Sequence, residues 1–335
     1  MVWLTTDCNL ACTYCYEGLE KQNLYLSEDM AHEILQYIIS QTDKQQKNLL
    51  ISFHGGEPFL NWERMEFICE KINAWSSRKG MTVKYQVSTN ATIRTDSIVT
   101  FLKTYKNDFE LSVSLDGKKQ THDCVRLYRT GRGSYEEAIK NSMKFMEIFP
   151  DLRVRMTFNA QTVRTLSENV LHLADLGFRM IVAIPDYYDK KWDEDTVEVV
   201  RREIRNIKRS LTGRNISVNL LEPLRLRKNA GCTGGISYVN IFPNGDLYPC
   251  TMAAGLDEFW IGNVKTGICQ TKLDIIRASS KTENYVCKGC AYYDYCNCTR
   301  CKIINKLVTG SYQSPVFMEC NMNTIFYEEN GYAVC

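Results

Sequence analysis

Short apolar runs alternate with amphipathic stretches over the first half of the chain. Six runs, Met1–Thr6, Leu49–His54, Thr82–Ser88, Glu110–Leu115, Arg153–Phe158 and Arg179–Ile184, are rich in Val, Ile, Leu, Phe or Tyr and read as strands. Helices fill the gaps. One opens after Ser27 with Glu28 and Asp29 in its first turn and lays Met30, Ile34, Leu35, Ile38 and Ile39 along one face. Another starts at Ser134 with Glu137 three residues on, a capping-box spacing, and a third ends at Gly177, which suits the position just past a helix. A further helix covers Asp193 to Leu211, with Arg201-Arg202 and Lys208-Arg209 read as a solvated face.

Strand and helix in alternation imply a parallel sheet. Six such units are too few to close an eight-fold barrel, so the expected fold is α/β, a partial (β/α)6 TIM barrel left open. Polar and glycine-rich residues follow the strands: His54-Gly55-Gly56-Glu57-Pro58, Thr89-Asn90 and Asp116-Gly117. Function is expected on that C-terminal rim.

The remaining chain does not continue the alternation. At 335 residues there is room for about two domains, read as a barrel over 1–190, a helical and strand linker over 191–231 and a cysteine-rich part over 232–335. Hydrophobic residues make up 44% and charged residues 24%, with no apolar run long enough to cross a bilayer. Net charge is only +2, which points to no nucleic-acid partner and no membrane surface. Met1 to Asp7 show no signal-peptide pattern, so a reducing cytoplasm is expected. There, 15 cysteines in close groups read as metal or cluster ligands, with Cys69, Cys124 and, less clearly, Cys269 as scattered buried thiols.

Cys8, Cys12 and Cys15 directly follow the first strand. Three thiolates on one loop can hold three irons of a four-iron cluster and leave the fourth open. This Cys-x3-Cys-x2-Cys spacing, with Tyr14 before the third cysteine, resembles the signature of the radical S-adenosylmethionine (SAM) superfamily, and Gly55-Gly56-Glu57-Pro58 is similar to its GGE motif. The resemblance implies that SAM chelates the open iron and that its reductive cleavage yields a 5′-deoxyadenosyl radical. It also implies SAM contacts at Tyr14, Gly55, Gly56, Glu57, Pro58, Asn90, Ser114 and Arg126, the glycines by close backbone approach and Glu57 by accepting from the methionyl ammonium. Strand-end capping and surface charge would explain Asn90, Ser114 and Arg126 as well, and His122 receives no chemical role.

In the C-terminal part, Asn244-Gly245 between Val239–Phe242 and Leu247-Tyr248 predicts a β-hairpin flanked by Cys232 and Cys250. With Cys287, Cys290, Cys296 and Cys320 downstream, the spacing resembles the SPASM domain, a small fold of hairpin and helices. That likeness implies three [4Fe-4S] clusters in all. Auxiliary cluster II would take Cys287, Cys290, Cys296 and Cys320; auxiliary cluster I would take Cys232, Cys250 and Cys301, with Cys298 as the alternative. The family pattern places a cysteine at residue 300, which is Arg300 here, and that is why both neighbours stay in play. An open iron in auxiliary cluster I could be filled by Cys298, Cys335 or a substrate thiol, and a zinc ribbon is the plain alternative for part of the set.

SPASM enzymes mostly modify ribosomally made peptides, so the resemblance implies a peptide substrate with a leader, a flavodoxin- or ferredoxin-type reductant, and leader recognition elsewhere or by a separate protein. Cysteine thioether crosslinking is the leading expectation. Epimerisation and carbon–carbon crosslinking are alternatives, with Cys298, Cys335 or Cys269 as thiol hydrogen donors. A sulfatase-maturase-like oxidase is disfavoured because Thr251 stands where those relatives commonly carry an aspartate after the cysteine. A metal-binding module without catalysis is the non-enzymatic alternative. Tyr187-Tyr188 and Tyr292-Tyr293-Asp294-Tyr295 are candidate substrate contacts, equally explained by packing.

Overall fold

The computed structural model describes residues 1–18, 23–42, 45–222 and 231–329, so Cys335 lies outside the described residues. In chain order the elements are β1 (Val2–Thr5), α1 (Glu28–Gln41), β2 (Asn48–Gly55), α2 (Trp62–Ser77), β3 (Thr82–Thr89), α3 (Asp96–Tyr105), β4 (Phe109–Ser114), α4 (Lys119–Val125) and α5 (Tyr135–Met146). Then come β5 (Arg153–Phe158), α6 (Leu166–Asp175), β6 (Met180–Pro185), α7 (Glu194–Ser210) and β7 (Ser217–Val218). The rest comprises β8 (Asn240–Ile241), β9 (Asp246–Tyr248), β10 (Gly262–Asn263), β11 (Gly267–Ile268), α8 (Gln270–Ser280), α9 (Asn297–Arg300), α10 (Lys302–Thr309) and α11 (Phe317–Glu329). The six strands expected from the sequence are β1 to β6, and helices follow each of them, as a partial (β/α)6 barrel requires.

Contacts divide the chain into two compact units that do not follow chain order. One comprises Met1–Ser114, Arg126–Leu152 and Gly234–Leu273, the other Leu115–Val125, Arg153–Thr233 and Asp274–Cys335. In the first, β1 to β4 run parallel in sequence order, and β8 joins the open edge of β1 in parallel through Val2 opposite Ile241. The antiparallel strands β8 to β11 extend that same sheet. The predicted hairpin is therefore present but belongs to the unit that holds the first cysteines. Gly245, at φ +86°, is its turn residue, and the Phe242 amide closes the turn on the Asp246 carbonyl at 2.8 Å. In the second unit β5, β6 and β7 are parallel.

The strands alternate faces. On β2, Ile51 and Phe53 are buried, Phe53 stacked with Tyr85 and Phe109, while Leu50, Ser52 and His54 face the other way. Ser27 caps α1 by accepting the Met30 amide at 3.2 Å, as its sequence suggests. On that helix Tyr37 is buried, whereas Ile39 is 36% exposed, so the inward stripe is rotated from the one predicted. The chain leaves α6 in a Schellman turn, with Gly177 at φ +97° donating to Ala174 and Phe178 to Leu173.

Three local expectations are corrected. Ser134 forms no capping box, because its hydroxyl donates to the Arg126 carbonyl at 2.8 Å and Glu137 pairs with Tyr128 and Arg132 instead. Arg201 is not on a solvated face: its side chain is 17% exposed and meets Glu328 and Glu329 on α11. Cys124 is exposed rather than buried, and Cys269 is half-buried. Helix α7, placed in a linker by sequence, packs on α6, and its Glu203 accepts the amide and hydroxyl of Ser167. Among the described residues no helix is long and apolar enough to cross a membrane.

Candidate functional site

Strand β1 ends at Thr5, and the chain then turns into the loop that carries Cys8, Cys12 and Cys15, all half-buried. Asp7 fixes the start of that loop. Its Oδ1 accepts the Cys8 amide at 2.9 Å and the Arg129 guanidinium at 2.6 Å, and its Oδ2 accepts the Tyr25 hydroxyl at 2.6 Å. Burial pushes the Asp7 carboxyl up, but Tyr25 and Arg129 outweigh it and hold the group below its usual range. Farther along, the Ala11 amide donates to Leu127 at 2.7 Å, Leu10 bridges Tyr128, and the Arg126 guanidinium lies 5.2 Å from the centre of the Tyr14 ring. The segment from Arg126 to Gly133 is thus a shelf under the cysteine loop.

The GGE motif pins the loop from its other side. The Gly56 amide donates to the Thr5 carbonyl at 3.1 Å and the Glu57 amide to the Asp7 carbonyl at 2.8 Å. A Cβ on Gly55, at φ +151°, would stand 2.3 Å from the Thr5 oxygen, and one on Gly56 would stand 2.2 Å from the Asp7 oxygen. These glycines thus permit a close approach of the chain's own backbone.

Glu57 is 1% exposed and caps the 3-10 turn that Pro58 opens. Its Oε1 accepts from the Phe59 amide at 3.0 Å and the Thr89 hydroxyl at 2.7 Å, and its Oε2 from the Asn90 amide at 2.7 Å. Three of roughly four lone-pair positions on the carboxylate are filled by protein, leaving one for a ligand. Burial pushes Glu57 up to about 7 against the pull of these donors and of Arg126. Asn90 is occupied too: its amide nitrogen reaches Asn9 at 2.9 Å and the Cys8 sulfur at 3.8 Å, and its oxygen accepts from Thr92. Ser114 is half-buried at the end of β4. Asp7, Tyr25 and Arg129 escaped the sequence reading, for which Asp7 beside Cys8 was the one signal available; Thr89 was placed on the rim without a role.

The donor set fits an iron–sulfur cluster. It consists of three thiols and no competing carboxylate or imidazole, and Cys8 is pushed up to about 12 by burial, with Glu57, Cys12 and Cys15 adding to the rise. Such a thiol surrenders its proton when metal arrives. Among the described residues no three His, Cys, Asp or Glu side chains already surround a single-ion position. A cluster asks for something wider, since each cysteine binds a different iron.

In the second unit, Cys287, Cys290, Cys296 and Cys320 gather near Cys298, which is fully buried and in contact with Cys296. Here Lys302 Nζ, Glu319 Oε2, Asn284 Oδ1 and Asn305 Oδ1 are buried polar atoms with no hydrogen-bond partner among the described residues. Orphaned polar atoms around thiols fit a polar or charged group held among them. Cys301 and Cys232 are half-buried in this unit, and Cys250 is half-buried in the first. The tyrosines pack: Tyr292 stacks on Tyr327 at 4.3 Å, the Tyr293 hydroxyl accepts the Asn284 amide, and Tyr187 is half-buried.

A cavity of about 480 Å³ in the first unit borders the cysteine loop. Trp3, Tyr16, Phe242, Tyr248 and Met252 line it with Glu17, Asp246 and Asp257. His54 lies near, 4.4 Å from Trp3 between ring centres and 3.2 Å from the Tyr16 hydroxyl.

The sequence profile of the radical SAM superfamily matches residues 4–160, the stretch that contains the cysteine loop, the GGE motif and the shelf. Over that stretch the chain is similar to the radical SAM superfamily, whose members use SAM and a [4Fe-4S] cluster. It is 24% identical over 360 residues to the cysteine-type anaerobic sulfatase-maturating enzyme of Clostridium novyi, covering 97% of this chain and 93% of that one. It is 23% identical to the subtilosin biosynthesis protein AlbA of Bacillus subtilis, over 78% of this chain and 56% of AlbA. Its fold matches anSMEcpe with bound AdoMet at a TM-score of 0.79 and 18% identity, covering 99% and 92% of the two chains. It also matches Streptococcus suis SuiB bound to S-adenosylmethionine at 0.68 and 18%, covering 95% and 76%.

Proposed function

We propose that this protein is a radical SAM enzyme that oxidatively modifies a ribosomally made peptide, by cysteine thioether crosslinking. The observation that carries the core of this reading is the double pinning of the Cys8–Cys15 loop, by Asp7 on one side and Gly55-Gly56-Glu57 on the other. When bound, the cluster and SAM supply a 5′-deoxyadenosyl radical able to take a hydrogen atom from the peptide. The chain's own residues hold the loop, bury Glu57 beside it and keep Tyr14 under Arg126, which orients the mouth for SAM. Gly55, Gly56, Pro58, Asn90 and Ser114 complete that mouth. The cavity beside Tyr16 offers aromatic walls and carboxylates to a peptide side chain.

Auxiliary cluster II is assigned to Cys287, Cys290, Cys296 and Cys320, the four-thiol set whose surroundings contain the orphaned polar atoms. Cys298 is turned toward Cys296, which leaves Cys301 as the preferred member of the other auxiliary set. Three clusters, a reductant of flavodoxin or ferredoxin type, a separately recognised leader and a cytoplasmic setting belong to the same proposal. So does a functional division into barrel and SPASM parts.

Thr251 favours crosslinking over formylglycine formation. Its hydroxyl donates to Asn240 Oδ1 at 3.0 Å, and a hydroxyl there is no general base near neutral pH. The competing reading, oxidation of a peptide cysteine as in sulfatase maturation, is favoured by the near full-length relative named above. Mass and alkylation analysis of a treated cysteine-containing peptide separates them. Loss of two hydrogens with loss of the alkylatable thiol supports a thioether. The same mass with the thiol intact indicates carbon–carbon linkage, an unchanged mass with inverted stereochemistry indicates epimerisation, and a hydrazine-reactive aldehyde indicates the maturase reaction.

A further inference from the structure

Lys302 is the first residue of α10, is 2% exposed, and carries an ammonium with no hydrogen-bond partner among the described residues. A buried, unpaired ammonium costs several kcal/mol and is retained only where an anion compensates it. Among the described residues no carboxylate forms an ion pair with it. The groups close enough to feel its charge favourably are the sulfurs of Cys287 and Cys298. Cys287 belongs to the four-thiol set, and Cys298 touches Cys296 of that same set. Four thiolates around a [4Fe-4S] core make a net anion, a partner of the right sign for this ammonium.

We propose that Lys302 is the buried counter-ion of the auxiliary cluster held by Cys287, Cys290, Cys296 and Cys320, and that its charge sets the cluster's reduction potential. The inference rests on the assignment of those four cysteines given above. Reduction adds negative charge to the cluster, so a fixed positive charge beside it favours the reduced state and raises the potential. Glu319 works against this: it is 6% exposed, precedes Cys320 and has an orphaned Oε2. Lys302 is thus a positioning residue whose charge acts on Cys287, a ligand of the cluster, and it takes no part in the chemistry at SAM.

The test is a redox titration of the reconstituted holoprotein followed by electron paramagnetic resonance, with iron counted in each sample. Cys287→Ala identifies the signal and is expected to remove about four irons per chain. Lys302→Met is expected to keep the iron and shift that signal to lower potential, by about tenfold in the reduced-to-oxidised ratio at the wild-type midpoint. Lys302→Arg is expected to stay at the wild-type potential. Full iron in Lys302→Met with an unmoved midpoint overturns the inference while the cluster assignment stands. Wild-type iron in Cys287→Ala overturns the assignment and the inference with it. If Lys302→Met cannot hold the cluster, loading of Lys302→Arg supports the counter-ion, and failure of both overturns it.

Discussion

The Glu57 carboxylate accepts the backbone N–H of Asn90 at 2.7 Å and so ties the end of β2 to the end of β3. Because Oε1 holds Thr89 and Phe59 as well, one side chain fixes two strand ends and the 3-10 turn between β2 and α2. In Glu57→Gln an amide NH2 faces a donor that the carboxylate accepted. The expected cost to the apoprotein is about 1–3 kcal/mol in denaturant unfolding. Its pH dependence follows from burial. The folded pKa, about 7, lies above the ordinary 4.5, so the stabilising contribution is full below the lower value and is lost as pH rises through the higher. The gap between wild type and Glu57→Gln should therefore shrink from about pH 5 to about pH 8. A gap that stays constant contradicts the buried, proton-binding carboxyl.

Asp7 shows the opposite sign. Tyr25 and Arg129 hold its pKa below 3.8, so its contribution is present above that pH and disappears as pH falls through the depressed value. Arg129 is half exposed, which limits the pair, and Asp7→Asn is expected to cost about 1 kcal/mol near neutrality. The difference from wild type should close in acid. Iron retention after reconstitution should also fall, because Asp7 anchors the amide of Cys8.

Gly56→Ala forces a methyl group to within 2.2 Å of the Asp7 carbonyl, so two backbones must separate. Gly131, at φ +82° with nothing within 4 Å of an added Cβ, is the control. Gly131→Ala should cost about 1 kcal/mol through its backbone conformation alone. Gly56→Ala should cost more and lose iron from the first cluster, as read by absorbance and iron content. Equal effects would mean that the glycine serves only its own dihedral angles.

The sequence showed the alternation of β1 to β6, the cysteine loop, the hairpin at Asn244-Gly245 and the turn at Gly177, since each depends on local periodicity or on a residue with a fixed backbone preference. What it hid depends on partners that local spacing does not reveal. Glu137 is well spaced to cap Ser134, yet Tyr128 and Arg132 claim it. Arg201 looks like a surface cation until Glu328 and Glu329, more than a hundred residues away, fold beside it. The hairpin was legible, but its parallel pairing with β1, residue 241 beside residue 2, was not. Gly55 and Gly56 were legible as special, but their close packing on the Thr5 and Asp7 carbonyls was not.

The account stands on Cys8, Cys12 and Cys15 holding the cluster that cleaves SAM. Its most direct test is anaerobic reconstitution with iron and sulfide, followed by SAM and a reductant, in wild type and in Cys12→Ala. The account predicts about twelve irons per chain and 5′-deoxyadenosine from the wild type, and about four fewer irons with no 5′-deoxyadenosine from the variant. A Cys12→Ala protein that still produces 5′-deoxyadenosine would contradict it.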